Sequence, residues 1–359
     1  MPDSNARAPL RTARGRRLPR LLVAIPALNE ENTIAQVIAA VPRTLPGVDR
    51  VDVLVVNDGS TDRTVEETRR AGAEVVHHAS TRGVGAAFHT ALAHGLQRGA
   101  DLIVTIDGDG QFDPRDIPAL IEPVLRQEAD FVTASRFKDP ALTPEMPTLK
   151  RWGNYLMSRL ISRLVGQRFY DVSCGLRCYS RQAAASLNLF GRFTYTQEVF
   201  LNLAFKNMNI VEVPLRVRGR RQFGDSRVAG NLLRYAVNTS RIVFRCYRDY
   251  RPLRFFGGLF LALVIPAVGL GVFLMVHYLR TGALSPHKWA GFAAAALTML
   301  GLLSIHMGLI GDMLNRHRVY LEELLYHRRV GEADLSPREA LEVGEEPAWH
   351  ASSSTGASR

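Results

Sequence analysis

Cysteine is scarce: Cys174, Cys178 and Cys246 are the only three in 359 residues. So few exclude a disulfide framework, and the C-x-x-x-C spacing of the first two has no His or Cys pair nearby to complete a zinc set. They are expected as small reduced core residues. A secretory signal is also lacking. The basic stretch RAPLRTARGRRLPR is followed by no apolar h-region, since Leu21–Pro26 is too short and reads as a strand. Acidic charge is in deficit, with 34 Asp and Glu against 45 Lys and Arg, a net charge of +11. That excess suits nucleic acid, an anionic membrane face or a phosphate-bearing substrate, and does not choose among them. The basic residues lack aromatic interleaving and gather beside two apolar runs, so no nucleic-acid partner is expected. At 47% apolar and 22% charged, the chain can bury a large core.

Charge is missing altogether from residues 255–279, FFGGLFLALVIPAVGLGVFLMVHYL. About 20 apolar residues suffice to span a bilayer. A second run, WAGFAAAALTMLGLLSIHMGLIGDML at 289–314, carries Asp312 near its end, and RTGALSPHK joins the two. The pattern predicts a transmembrane hairpin over 255–314, with Pro266 tolerated because lipid forbids a non-helical alternative. The flanks RIVFRCYRDYRPLR and NRHRVYLEELLYHRR are rich in Arg, whereas the hairpin loop has only Arg280 and Lys288. The positive-inside rule then places both flanks, and the large N-terminal part, in the cytoplasm of a plasma-membrane protein. Residues 227–254 read as an amphipathic juxtamembrane helix on the inner leaflet. Residues 1–19 read as a basic disordered arm and 315–359 as a largely disordered cytoplasmic tail.

The part between, 20–226, alternates strand and helix. Apolar runs at Leu21–Ile25, Val51–Val56, Glu74–His78, Asp101–Ile106 and Asp130–Ala134 are separated by helical spacing at Thr33–Val41, from Ser60 or Thr61 to Ala71, and at Gly85–Arg98. That order predicts an α/β domain with a mostly parallel sheet and helices on both faces. Ligands bind such sheets at the carboxyl ends of the strands. The polar clusters fall there: Asn29-Glu30, Asn57-Asp58-Gly59, Asp107-Gly108-Asp109 and Ser135-Arg136.

The stretch TIDGDGQFD at 105–113 is the densest of these. Carboxylates this close repel one another unless something between them is positive. Asp107, Asp109 and Gln111 at alternate positions can turn oxygens toward one hard cation, Mg²⁺ or Mn²⁺, whose remaining ligands come from substrate phosphates. The interleaved glycines let the backbone bend and approach a bulky ligand. Taken alone, the stretch could equally be a solvated acidic turn; its place after a buried strand favours the cation.

PALNEEN, NDGSTDRT, RGVGAAFHTAL, DGDGQFDP, DVSCGLRCYSR and RQFGDSR follow one another along the chain. In this order they resemble the family 2 glycosyltransferases of GT-A fold, and more closely the polyprenyl-phosphate and dolichyl-phosphate glycosyltransferases, over roughly residues 20–315. The resemblance implies a nucleotide-sugar donor, a divalent metal and a lipid phosphate acceptor. It implies that Pro26, Asn29 and Glu30 line the nucleotide site, that Asp58 holds the base or ribose, and that Gly83 and Gly85 let a loop pack over the nucleotide. Asp107 would contact the donor, and Asp109 with Gln111 would hold the metal. Arg136 and Arg151 would meet the acceptor phosphate. Arg221, Ser226 and Arg227 would close on the donor diphosphate, with Gly224 as hinge. Some relatives have Lys between the two glycines, where this chain has Val84, and many have Lys where it has Arg227.

Other readings of the same residues stay open. Asp58 could cap a helix within a plain turn, and Gly83 and Gly85 could serve only as helix caps. Glu198, in YTQEVF, could orient a sugar hydroxyl or be a satisfied helix-face carboxylate. The helix expected over 148–166 carries the stripe Leu149, Trp152, Leu156, Leu160 and Leu164, which is either core or a membrane-resting face among arginines. The implied reaction is inverting transfer of a hexose, from UDP-glucose or a related UDP-sugar, to polyprenyl phosphate, with GDP-mannose as the alternative donor. A non-catalytic nucleotide-sugar-binding membrane protein is disfavoured by the intact Asp107, Asp109 and Gln111. A processive polysaccharide synthase is disfavoured by two spans and no Q-x-x-R-W. Homo-oligomerisation stays open.

Overall fold

The computed structural model describes residues 17–189, 195–219, 223 and 232–334. The expected donor-closing residues Arg221, Gly224, Ser226 and Arg227 lie outside them. In chain order the elements are β1 (Arg20–Ala27), α1 (Ile34–Ala40), β2 (Arg50–Asn57), α2 (Thr64–Arg70), β3 (Glu74–His77), α3 (Val84–Gln97), β4 (Leu102–Thr105), α4 (Ile117–Leu125) and β5 (Phe131–Ser135). Then follow α5 (Thr148–Val165), β6 (Arg177–Ser180), α6 (Arg181–Ser186), α7 (Thr196–Phe205), β7 (Ile210–Pro214), α8 (Leu232–Tyr250), α9 (Pro252–Thr281) and α10 (Lys288–Asp334).

The seven strands form one sheet in the order β3-β2-β1-β4-β6-β5-β7. Alternation along β1 divides the core. Leu21, Val23 and Ile25 pack with Ile34 and Ile38 of α1 and Leu120 and Ile121 of α4. Leu22 and Ala24 face the other way, toward Phe88, Ala91 and Leu92 of α3 and Phe200 and Leu203 of α7. Helices therefore cover both faces, as the βα alternation requires. β6 is antiparallel to both β4 and β5, while the other pairings are parallel. Neither β6 nor β7 reads as an apolar run in the sequence, because β6 (RCYS) opens on a charged residue and β7 (IVEVP) is broken by Glu212.

β6 matters for the site through its direction. Ala27, Asn57 and His77 are level across β1, β2 and β3, and Thr105 of β4 is paired with Arg177, where β6 begins. The start of the one antiparallel strand thus meets the ends of the parallel ones. The segment 171–176 leading into β6 lands on the edge where the polar loops collect.

α9 and α10 form the expected hairpin, with mean hydropathies of 2.7 and 1.9 in their apolar windows. They approach closely. Ser304 Oγ donates to the Phe256 carbonyl at 3.0 Å, and a Cβ on Gly311 would fall 2.8 Å from Pro252 Cβ.

Within the tail read as largely disordered over 315–359, residues 315–334 are helical. Helix α10 runs unbroken to Asp334, 47 residues or about 70 Å at about 1.5 Å per residue. A bilayer core is about 30 Å thick, so a helix of this length would reach well beyond one. Its C-terminal part docks on the sheet domain. Arg329 donates to the carbonyls of Ala185 and Leu187, both at 2.8 Å, and to Asn188 Oδ1 at 2.9 Å. Glu322 pairs with Lys206 at 3.0 Å, each side chain 15% exposed, and Tyr326 and Val330 pack on the core.

Candidate active site

Two loops at the strand ends are sewn together by reciprocal hydrogen bonds. Asn29, left-handed at φ 51°, accepts from Thr61 N through Oδ1 at 2.8 Å, and its own N–H donates to Ser60 Oγ at 2.9 Å. Glu30 N donates to Thr64 Oγ1 at 2.8 Å, and Thr33 Oγ1 donates to the Gly108 carbonyl at 2.7 Å. These bonds tie Pro26–Glu30 both to the loop after β2 and to the acidic turn after β4. An Asn with a left-handed backbone and a short acceptor suits such a junction.

Asp58 is buried and accepts three hydrogen bonds. His78 Nδ1 lies 2.7 Å and Arg82 N 2.9 Å from Oδ1, and Gly83 N lies 2.8 Å from Oδ2. The loop 80–83 therefore wraps around this carboxylate. Gly83 is required there, since its φ of 95° is unfavourable for a side chain, and it opens α3 with Gly85 buried behind it. In this structure Asp58 organises the loop expected over the nucleotide; it does not cap α2, whose N-cap residue is Arg63.

In the acidic turn, Asp109 is 2% exposed and its Oδ1 accepts from Gln111 N at 3.0 Å. Gln111 Nε2 donates to the Arg218 carbonyl at 3.2 Å, and Arg218 N donates back to the Gln111 carbonyl at 3.0 Å. The turn is thereby joined to the strap that leaves β7. Asp107 lies against Gly175 of the segment entering β6, where a Cβ would stand 3.0 Å from Asp107 Cγ. Burial pushes the Tyr195 hydroxyl up in pKa, and the nearby Asp107 charge adds to the shift. Among the described residues no group of three His, Cys, Asp or Glu side chains could hold an ion by itself. Two carboxylates and an amide oxygen on one turn do fit a hard cation that completes its shell with diphosphate oxygens.

Arg136, at the end of β5, donates from Nε to Asp171 Oδ2 at 2.7 Å, from Nη2 to Asp171 Oδ1 at 2.9 Å, and to Ser173 Oγ at 2.9 Å. Its side chain is 12% exposed. It was expected among the acceptor-phosphate cations; the structure gives it an ion pair that fixes the segment entering β6. Ser173 Oγ in turn donates to Asn154 Oδ1 of α5 at 2.9 Å. Arg151, three residues before Asn154, is exposed on α5. The apolar stripe of that helix does not join the core at its N-terminal end: Leu149 and Trp152 are 61% and 60% exposed, and Tyr155, Leu156 and Leu160 are exposed too. Glu198 is buried in the first turn of α7, and its charge helps raise the Cys246 thiol of α8, behind the larger effect of burial.

Asp171, Gly175, Ser173 and Asn154 were not singled out from sequence, although DVSCG pairs an acid with a glycine just before a strand, and that was the available signal. His78 has no metal-ligand spacing in the sequence, and the structure places it against Asp58 instead.

An open α/β sheet carrying paired carboxylates and glycine-lined loops on one edge is the arrangement expected of a GT-A-type glycosyltransferase. Residues 22–187 match the family described as Glycosyl transferase family 2. The UDP-N-acetylglucosamine–dolichyl-phosphate N-acetylglucosaminyltransferase of Methanococcus voltae is 32% identical over 212 residues, 54% of this chain and 83% of that protein. The undecaprenyl-phosphate mannosyltransferase of Micrococcus luteus is 29% identical over 230 residues, 61% of this chain and 91% of that protein. A crystal structure of glucosyl-3-phosphoglycerate synthase from Mycobacterium tuberculosis, in complex with Mn²⁺, UDP and glucosyl-3-phosphoglycerate, shares the fold with a TM-score of 0.52 at 22% identity, over 64% of this chain and 80% of that one. The chain belongs to glycosyltransferase family 2.

Proposed function

We propose that this enzyme transfers a hexose with inversion from a nucleoside diphosphate sugar, UDP-glucose or a related UDP-sugar, to a polyprenyl phosphate at the cytoplasmic face of the membrane, and that it needs Mg²⁺ or Mn²⁺. One observation carries the reading: the carboxylate edge and the exposed apolar, arginine-bearing face of α5 belong to one domain, and that domain is fastened to a two-helix hairpin. A soluble acceptor would need no such face. The relatives named above act, by their names, on dolichyl and undecaprenyl phosphates.

In this reading Pro26, Asn29, Glu30, Asp58, Gly83 and Gly85 form the nucleotide side of the edge. Asp107 positions the donor, and Arg221, Ser226 and Arg227 close on its diphosphate. A cation held by Asp109 and Gln111 would neutralise the departing diphosphate. Arg151, with Arg136 behind it, supplies positive charge for the acceptor phosphate, as arginine's paired donors favour. The phosphate oxygen is already anionic at neutral pH, so it can attack the anomeric carbon in line without a strong base. The protein's part is positioning and charge neutralisation. Glu198 would orient a sugar hydroxyl. GDP-mannose is the second reading, supported by the mannosyltransferase name of the Micrococcus relative.

The test uses the full chain in detergent with polyprenyl phosphate, Mg²⁺ or Mn²⁺, and a panel of labelled nucleotide sugars. Label is expected in the lipid fraction, and its transfer should stop after exhaustive EDTA treatment and in Asp109→Ala. Absence of lipid label with every donor would remove the acceptor assignment. An EDTA-resistant rate would remove the cation.

A further inference from the structure

The three hydrogen bonds to Asp58 bear on the choice of base. A carboxylate is acceptor-only and offers about four lone-pair directions, two per oxygen. Oδ1 receives His78 Nδ1 at 2.7 Å and Arg82 N at 2.9 Å; Oδ2 receives Gly83 N at 2.8 Å. Because the carboxylate can only accept, Nδ1 of His78 must carry the proton. The ring is held from its far side as well, with Nε2 2.9 Å from Thr90 Oγ1 on α3. Both partners are buried, His78 at 8% and Asp58 at 4% exposure. The loop cannot swing off Oδ1 without cost. Gly59 sits at φ 81°, with its Cβ position 2.9 Å from Thr81 N, so the loops at 59 and 80–83 are in direct contact.

With Oδ1 filled, the carboxylate has one acceptor direction left, on Oδ2. The pairing edge of uracil carries a single donor, N3–H, between two carbonyls. The corresponding edge of guanine carries two adjacent donors, N1–H and the exocyclic amine, which match a carboxylate only when both oxygens are available. A guanine at this edge would leave one donor unpaired, and unpaired buried donors are costly.

We propose that His78 is a specificity-determining residue: by occupying Oδ1 of Asp58 it sets the donor site for a uracil nucleotide against a guanine one. This rests on the reading of Asp58 as part of the nucleotide site. His78 acts through Asp58 and is a positioning residue.

The experiment is calorimetric titration of the full chain in detergent with UDP and with GDP, in the presence of Mn²⁺. The wild type is expected to bind UDP at least about tenfold more tightly than GDP, the range set by one unpaired buried donor. His78→Ala, which removes the ring from beside Oδ1, should bring the ratio to about threefold or less. His78→Asn, which can still present a donor to Oδ1, should restore it. Thr90→Val is the control for a purely structural role, since it loosens the ring without emptying Oδ1, and it should keep the wild-type ratio. If His78→Ala does not melt cooperatively, His78→Val takes its place. Equal binding of UDP and GDP by the wild type, or an unchanged ratio in folded His78→Ala or His78→Val, overturns the proposal and leaves the transferase reading intact. Failure of the wild type to bind either nucleotide overturns both.

Discussion

Arg136 grips the Asp171 carboxylate with two nitrogens, Nε to Oδ2 at 2.7 Å and Nη2 to Oδ1 at 2.9 Å, and Asp171 is fully buried. Burial alone would raise the carboxyl's pKa; the Arg136 guanidinium overrides that and holds it below the ordinary value. A depressed carboxylate stabilises the fold above its unfolded pKa of about 3.9, and that contribution is lost as the pH falls through the folded value.

Asp171→Asn should therefore destabilise the protein at pH 7 by about 3–5 kcal/mol, because it leaves the largely enclosed Arg136 guanidinium without its buried counter-charge. Thermal melts from pH 7 down to pH 3 should show the gap to wild type narrowing below about pH 4. A gap that is constant over this range would mean that charge is not what the pair contributes.

Gly175 carries a second prediction. A methyl group there would meet the Asp107 carboxylate, and the segment cannot retreat while Arg136 holds Asp171 and Ser173. Gly175→Ala should displace Asp107 and lower the transfer rate by about a hundredfold, the range seen when reacting groups are misplaced by about 1 Å. Its melting temperature should change far less than that of Asp171→Asn. Wild-type rates in Gly175→Ala would mean that Asp107 is not held where the donor needs it.

The parallel half of the sheet was legible because β1, β2 and β4 are buried on both faces and read as continuous apolar runs ending in polar turns. The second half was not. Arg177 opens β6 fully buried, donating to the carbonyls of Cys174, Val172 and Thr196 and lying over the rings of Phe131 and Phe200. A charged residue at the start of a four-residue strand gives no alternation to detect. The acidic turn was legible as chemistry, since crowded carboxylates imply a counter-charge. Asp58 was legible as a position on the edge, but its three internal donors come from residues 20 to 25 positions away, and no local pattern reports them. The α10 extension was hidden because its sequence mixes charges with Leu and Tyr, and only docking against α6 and α8 shows which face each belongs to.

The exposed face of α5 offers a test that distinguishes the two proposed substrates. Arg151 lies on it beside Leu149 and Trp152. Arg151→Ala should raise the KM for polyprenyl phosphate by about tenfold, the loss of one charge-assisted contact. The KM for the nucleotide sugar should stay within about twofold. An unchanged lipid dependence would remove Arg151 from the acceptor side.

The last prediction concerns how the catalytic domain is held against the helical hairpin. Helix α9 follows directly after α8, and α10 returns to grip the same domain from the side of α3 and α6. The domain is thus fixed at two points. Arg329 is the hinge-pin of the second, because one guanidinium satisfies two carbonyls at the end of α6 and the Asn188 amide oxygen. Arg329→Ala would leave these acceptors to water and cost about 1–3 kcal/mol locally. The rest of the catalytic domain keeps its own core, so global melting should move little. Hydrogen exchange should instead speed up in residues 315–331 and at 185–188. Transfer to membrane-embedded polyprenyl phosphate should fall more than nucleotide binding does, because only the first depends on the height of the domain. Unchanged exchange across 315–331 would show that the helix is not held by Arg329.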